Sequence, residues 1–152
     1  MNHFLYPQYS HGGRNPAQDL LWSVSVRATS TRISIVEALM EEKAPVSINV
    51  LCSILQKKAP KISQASVYRT LELLVESGVV SRVNMGQMQN SYEILHGKKH
   101  HHHIICSECG DIEDIETCPA RSMSDYLAQN SKKFDAIHGH SLEFFGRCKK
   151  CA

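Results

Sequence analysis

Between residues 19 and 78 the apolar positions recur at helical spacing, and polar or proline punctuation cuts them into four stretches. Leu20, Leu21, Val24 and Val26 mark the first, with Asp19 placed to cap it. Residues 27–31 form a polar break. Thr31 or Ser30 can then cap a second helix carrying Ile33, Val36, Leu39 and Met40, which must end before Pro45. Ser47 opens a third, with Val50, Leu51, Ile54 and Leu55 inward and Lys57 and Lys58 in its last turn, where cations suit the helix dipole. Pro60 breaks it. Ser63 caps a fourth that runs to Ser77, with Val67, Leu71 and Leu74 on its buried stripe and Gly78 as the stop. Ser66, Tyr68 and Arg69 fall largely off that stripe.

The period then changes. Residues 79–84 and 91–95 are β-rich and joined across Met85-Gly86-Gln87, which reads as a hairpin. Short helices followed by a hairpin, with a basic last helix, predict a winged helix-turn-helix, whose last helix enters the major groove while the wing lies over the backbone. Gly97-Lys98-Lys99 marks a change of composition and a hinge. Beyond it the pattern predicts a strand over 101–106, a turn at Cys109-Gly110 and a strand over 112–116. A helix over 119–131 and a long strand over 134–145 follow. The expected class is therefore α+β: an N-terminal arm (1–18), a winged-helix domain (19–96) and a small α/β domain (97–152). Units as small as the last usually need a metal, a disulfide or a partner subunit.

A hydrophobic fraction of 42% with 21% charged residues is ordinary for a globular chain. No apolar run is long enough to cross a bilayer, and the N-terminus lacks the layout of a signal peptide, which leads to the expectation of a cytoplasmic protein without membrane contact. The net charge of +2 implies no partner, but its distribution does more. Residues 44–71 contain no Asp or Glu, while Lys57, Lys58, Lys61 and Arg69 all fall inside. Such a stretch can face polyphosphate without repulsion, although a solvated helix face has the same look.

Six cysteines in a reducing compartment read as metal ligands before disulfides. Cys106/Cys109 and Cys148/Cys151 are two Cys-x2-Cys pairs, each spaced for two ligands of a tetrahedral zinc. The 38 residues between the pairs exceed a compact ribbon, so the site must staple separate parts of a domain, provided the last strand returns beside the first. A thioredoxin-like redox pair would need an early βαβ context that is missing here. Cys52 lies on a helical apolar face as a plain core thiol, and Cys118 has no evident role. Four histidines, His100 to His103, run into the first pair. On a strand, His101 and His103 face one way and His100 and His102 the other, which starts two metal sites unless the run is merely a solvated cluster. His138 and His140 share a face of the last strand and can complete one site. Glu93, His96 and Asp114 are candidates for the other.

Three segments carry a resemblance: Ile62-Ser63-Gln64-Ala65-Ser66-Val67-Tyr68-Arg69-Thr70-Leu71, the run from His100 through Cys109-Gly110, and His140-Ser141-Leu142-Glu143-Phe144-Phe145-Gly146-Arg147-Cys148-Lys149-Lys150-Cys151. Together they resemble the ferric uptake regulator family over roughly residues 20–152. The resemblance implies a homodimeric, metal-activated repressor that binds a double-stranded DNA operator, with the second domain serving dimerisation. Cys106, Cys109, Cys148 and Cys151 match the family's structural zinc site. Tyr68 and Arg69 match its recognition helix, Arg27 falls near the basic residue directed into the minor groove, and Arg32 matches a position at the start of the second helix. Lys57, Lys58, Lys61 and Ser66 complete the expected DNA face.

The family's sensing site lies on His101, His103 and Asp114, with Glu93 nearest to its acid ahead of the hinge. Its histidine from the DNA-binding domain falls at Pro45, which cannot ligate, and His96 is the substitute. A second site falls on His100, His102 and His140. Its acid would lie near Arg121 or Met123, leaving Asp125 as the stand-in. His102 stands where iron-type members often carry Asp, so the expectation leans to zinc sensing, with Fe2+ or Mn2+ (iron or peroxide sensing) next. Two other classes fit less well. A zinc hydrolase would want a His-Glu-x-x-His helix or a nucleophile elbow, and neither is present. A structural zinc module for protein contacts predicts that Arg69→Ala leaves every function intact, whereas a repressor would lose operator binding.

Overall fold

The computed structural model describes residues 15–86, 90–95, 100–118 and 120–152. His96 and the expected hinge Gly97-Lys98-Lys99 lie outside the described residues, as do Gln87 at the hairpin tip and positions 1–14 of the arm. The chain divides into two compact units, Met1–Lys98 and Lys99–Ala152.

The first unit opens with α1 (Pro16–Ser23), α2 (Ser30–Met40), β1 (Val46–Ser47), α3 (Ile48–Lys58) and α4 (Gln64–Glu76), and closes with the strands β2 (Val80–Asn84) and β3 (Asn90–Ile94). Each helix begins at a side-chain cap that satisfies an otherwise orphaned amide. Asn15 accepts from Ala17 N and Thr29 from Arg32 N. Ser47 accepts from Val50 N and Ser63 from Ser66 N. The last two caps are where the sequence puts them. The first two are not: α1 starts ahead of Asp19, with Pro16 preset for the first turn, and α2 starts ahead of Thr31.

The buried stripes of the four helices meet in one core. Leu20, Leu21, Ile35, Leu51, Leu55, Leu71 and Leu74 are its largest fully buried members. Val50, expected inward, is 51% exposed and lies on the outer face of α3. β2 and β3 pair antiparallel from Val80↔Ile94 to Asn84↔Asn90. Gly86, at φ +74°, turns the chain after β2, and its amide donates to Asn84 Oδ1 at 2.9 Å. The two-residue β1, too short to announce itself by alternation, adds to the other edge of β3 (Val46↔Tyr92). Three helices, a fourth that carries Arg69 and follows Lys57, Lys58 and Lys61, and a hairpin make a winged helix-turn-helix.

The second unit contains β4 (His102–Cys106), β5 (Ile112–Ile115), α5 (Ala120–Asn130) and β6 (Glu143–Gly146). β4 is the central strand, with β5 antiparallel on one side and β6 parallel on the other. The long strand expected over 134–145 is not formed. Residues 134–142 carry no regular structure, and only the four residues of β6 pair. A strand lasts only as long as its partner, and β4 offers five residues. The apolar core here is thin: among the described residues only Ile105, Cys106 and Ala120 are buried hydrophobics of this unit, joined by the buried imidazoles His102 and His103. The described helices include none long and apolar enough to cross a membrane.

Candidate metal centres and nucleic-acid face

β4 organises both ends of the second unit. Because β6 runs parallel to it, with Cys106 beside Gly146, the turns that follow the two strands leave the sheet side by side. Those turns hold Cys106/Cys109 and Cys148/Cys151. The four sulfurs lie within 4.8 Å of one another, with Cys109 Sγ to Cys148 Sγ at 3.6 Å. A tetrahedral zinc with bonds of about 2.3 Å sets its sulfurs about 3.8 Å apart, so the cluster has the dimensions of a closed four-thiolate site.

Its electrostatics point the same way. Backbone amides of Cys109, Cys148 and Glu108 hold the Cys106 thiol down to about 6, which favours its thiolate. Hydrogen bonding to Cys109 and Cys148, with burial, pushes Cys151 up to about 12. For Cys109 the Asp111 amide favours the thiolate, but the sulfurs of Cys106 and Cys148 outweigh it and the thiol is raised. Crowded sulfurs cannot all ionise unaided, and a divalent cation is what lets them. Lys150 Nζ donates to Asp111 Oδ2 at 3.0 Å and ties the two turns together. That contact lowers Asp111 and raises Lys150.

At the opposite end of β4 a second group gathers. Ile115 on β5 pairs with His102, so the chain leaving β5 carries Cys118 past the start of β4. Glu143 on β6 pairs with His103, so the chain entering β6 brings His140 and Leu142 alongside. The ring Nε2 atoms of His100, His102 and His140 form a triangle with sides of 3.0, 3.2 and 3.3 Å. Cys118 Sγ sits 3.4 Å from His140 Nε2, and all four ligand atoms lie within 4.8 Å. Asp125, the expected fourth member, is exposed on α5 and is not in the group; the fourth residue is Cys118. His138, expected to share a face with His140, is exposed in the irregular segment and joins no metal-ligating group among the described residues.

His101 and His103 pair on the other side, as alternation dictates, with ring centroids 4.9 Å apart. His103 and Asp114 are direct partners across the β4–β5 ladder, and His103 Nε2 approaches Asp114 Oδ1 at 3.5 Å. These three bring two imidazoles and a carboxylate to one face. Glu93 is a buried carboxylate on β3 of the first unit.

In the first unit the basic side chains cluster around α3 and α4. Tyr68 is 45% exposed and Arg69 is exposed beside it, both off the stripe of Val67, Thr70, Leu71 and Leu74. Ser66 Oγ lies 2.9 Å from Ser63 Oγ, within the cap of α4. Lys57 and Lys61 are exposed; Lys58 is paired with Glu41 at the end of α2. Arg27 is exposed ahead of α2, and its carbonyl accepts from Arg32 Nη1 at 2.8 Å. Cys52 is half-buried on α3, where burial pushes its thiol up, as suits a core thiol.

A winged-helix unit with Arg69 exposed on its last helix and Lys57 and Lys61 exposed ahead of it, joined to a small unit built around metal-ligating groups, defines a metal-responsive DNA-binding regulator. Comparison with known proteins names the family. The ferric uptake regulator family profile matches residues 23–145. The ferric uptake regulation protein of Bacillus subtilis (strain 168) is 35% identical over 134 residues, which cover 86% of this chain and 89% of that one. A peroxide-responsive repressor, PerR, of Staphylococcus epidermidis is 30% identical over 131 residues, covering 86% and 85%. A solved structure of the ferric uptake regulator from Francisella tularensis, with iron, superposes with a TM-score of 0.67 at 26% identity, covering 84% of this chain and 95% of that one. The chain belongs to the ferric uptake regulator family; it is a metal-dependent transcription regulator and not an enzyme.

Proposed function

We propose that the chain is a zinc-responsive repressor that acts in the cytoplasm as a homodimer on a double-stranded DNA operator. One observation carries the zinc reading: the group at His100, His102 and His140 contains no carboxylate. Imidazole-rich sites suit zinc, whereas manganese and ferrous iron favour sites with hard oxygen ligands. The thiolates of Cys106, Cys109, Cys148 and Cys151 would hold a structural Zn2+, which supplies the cross-link that the thin core of the second unit lacks.

His101, His103 and Asp114, with Glu93 and His96 assigned from their places in the sequence, form the sensing set in this reading. Metal bound there can promote DNA binding only through higher affinity for the DNA-competent form. Tyr68, Arg69 and Ser66 on α4 would meet the major groove, with Lys57, Lys61 and Arg27 on flanking phosphates. Lys58 would contribute less, because Glu41 already neutralises it.

The apolar residues Met123, Tyr126 and Leu127 share a face of α5, and Phe134, Phe144 and Phe145 are also exposed. A second copy of the chain is the natural cover for these side chains.

A second reading has its own support. The contact of His103 with Asp114 brings an oxygen ligand into the sensing set, which suits Fe2+ or Mn2+ and would make the chain an iron or peroxide regulator. To separate the two, duplexes selected from a random library by the metal-loaded protein would be titrated with Zn2+, Fe2+ and Mn2+. Response at the lowest free Zn2+ supports the first reading. Response to Fe2+ or Mn2+ alone favours the second, and binding indifferent to metal sinks both.

A further inference from the structure

Three ring nitrogens in mutual contact set a problem that hydrogen bonding cannot solve. A neutral imidazole nitrogen either donates or accepts, so in a triangle at least one pair must be donor against donor or acceptor against acceptor. The triangle of His100, His102 and His140 therefore fits three lone pairs converging on a cation. One tautomer is already fixed that way: His102 Nδ1 lies 3.1 Å from the Leu142 carbonyl, which can only accept, so Nδ1 carries the proton and Nε2 the lone pair.

We propose that Cys118 is the fourth ligand here, making this a site of three imidazole nitrogens and one sulfur for a borderline or soft divalent cation, zinc foremost. In a tetrahedral zinc site, nitrogens bonded at about 2.0–2.1 Å lie about 3.3–3.4 Å apart, and a sulfur at about 2.3 Å lies about 3.5–3.6 Å from each nitrogen. The nitrogen edges of 3.0–3.3 Å and the Cys118–His140 edge of 3.4 Å come within about 0.3 Å of that frame, and all four ligand atoms lie within 4.8 Å of one another. Cys118 is half-buried between β5 and α5, outside both Cys-x2-Cys pairs, and neither the structural staple nor the sensing set uses it. A thiolate in place of a carboxylate disfavours manganese and ferrous iron relative to zinc, so Cys118 biases which metal the site admits. This deepens the metal-responsive reading above and rests on it.

The test uses full-length protein that keeps its structural zinc after dialysis against EDTA, to which Co2+ is added to saturation without oxygen, so that both non-cysteine groups are filled. The expected result is a thiolate-to-cobalt charge-transfer band with four-coordinate ligand-field bands, while zinc content stays constant. Cys118→Ser should lose the charge-transfer band and bind Co2+ at least about 10–100-fold more weakly, the range seen for losing an outer-shell partner alone. Bound cobalt without that band in the wild type, or the same band in Cys118→Ser, would overturn the proposal. Should the variant fail to fold, iodoacetamide labelling of the wild type decides: zinc must protect Cys118, and equal labelling with and without zinc overturns it. A thiolate signature in a protein whose DNA binding ignores metal would sink the functional reading and leave the site. Metal-dependent DNA binding without the signature would do the reverse.

Discussion

Cys109 Sγ lies 3.6 Å from Cys148 Sγ although 39 positions separate them, and the parallel pairing of β6 with β4 is what closes that gap. Protein dialysed against EDTA should keep about one zinc per protomer, because four thiolates form a closed site with no exchangeable position. Cys148→Ser should lose that ion and melt the second unit while the first keeps its helical signal. Elemental analysis with amide hydrogen exchange reads both; a folded second unit without zinc would refute the staple.

Arg69 is exposed on α4 and Lys58 is tied to Glu41, so the two cations should behave differently. Arg69→Ala should abolish specific binding to a selected duplex, whereas Lys58→Ala should cost less than Lys57→Ala. If Lys57 meets a phosphate, its loss lowers the salt slope by about 0.9. Binding curves at several salt concentrations measure this. Full operator binding by Arg69→Ala would point instead to a zinc module for protein contacts.

Ser63 starts the helix that presents Tyr68 and Arg69, and its hydroxyl accepts from Ser66 N at 3.2 Å. Ser63→Ala should destabilise the first unit by about 1 kcal/mol, and Ser63→Asp, which keeps an acceptor, by much less. Denaturant melts would reveal an equal loss in the two variants if the cap were idle.

Tyr126 and Leu127 are 64% and 50% exposed on α5. Leu127→Glu should shift the protein towards monomer in sedimentation analysis and weaken DNA binding with it, since two half-sites need two recognition helices. A dimer unmoved by this change would place the interface elsewhere.

The helical half of the chain was legible because its signals are local. Apolar spacing marked the stripes of α2, α3 and α4, and Ser47 and Ser63 stand where caps must stand. The errors fall where a neighbour decides. Thr29 rather than Thr31 or Ser30 caps α2, a choice among hydroxyl residues within three positions. β1 exists only because β3 offers it an edge. Residues 134–142 alternate enough to suggest a strand, but β4 is too short to pair with them, and they bring His140 and Leu142 into place as an irregular segment instead. Cys118 is not legible as part of this group from sequence: the resemblance points to a carboxylate near Arg121, and only the fold brings the thiol beside His140.

His102 and Cys106 are the first and last residues of β4, roughly 13 Å apart at about 3.3 Å per residue, so one five-residue strand contributes to a metal group at each end. β6 does the same from the other side, with His140 and Leu142 just ahead of it and Cys148 just after. Neither strand can shift without disturbing both groups. Filling either group would therefore favour filling the other by the same factor, since both draw on the same two strands. The affinity of the second site becomes a readout of whether the first is intact, and damage to the four cysteines would be felt as a raised concentration threshold for the metal at the far end of the sheet.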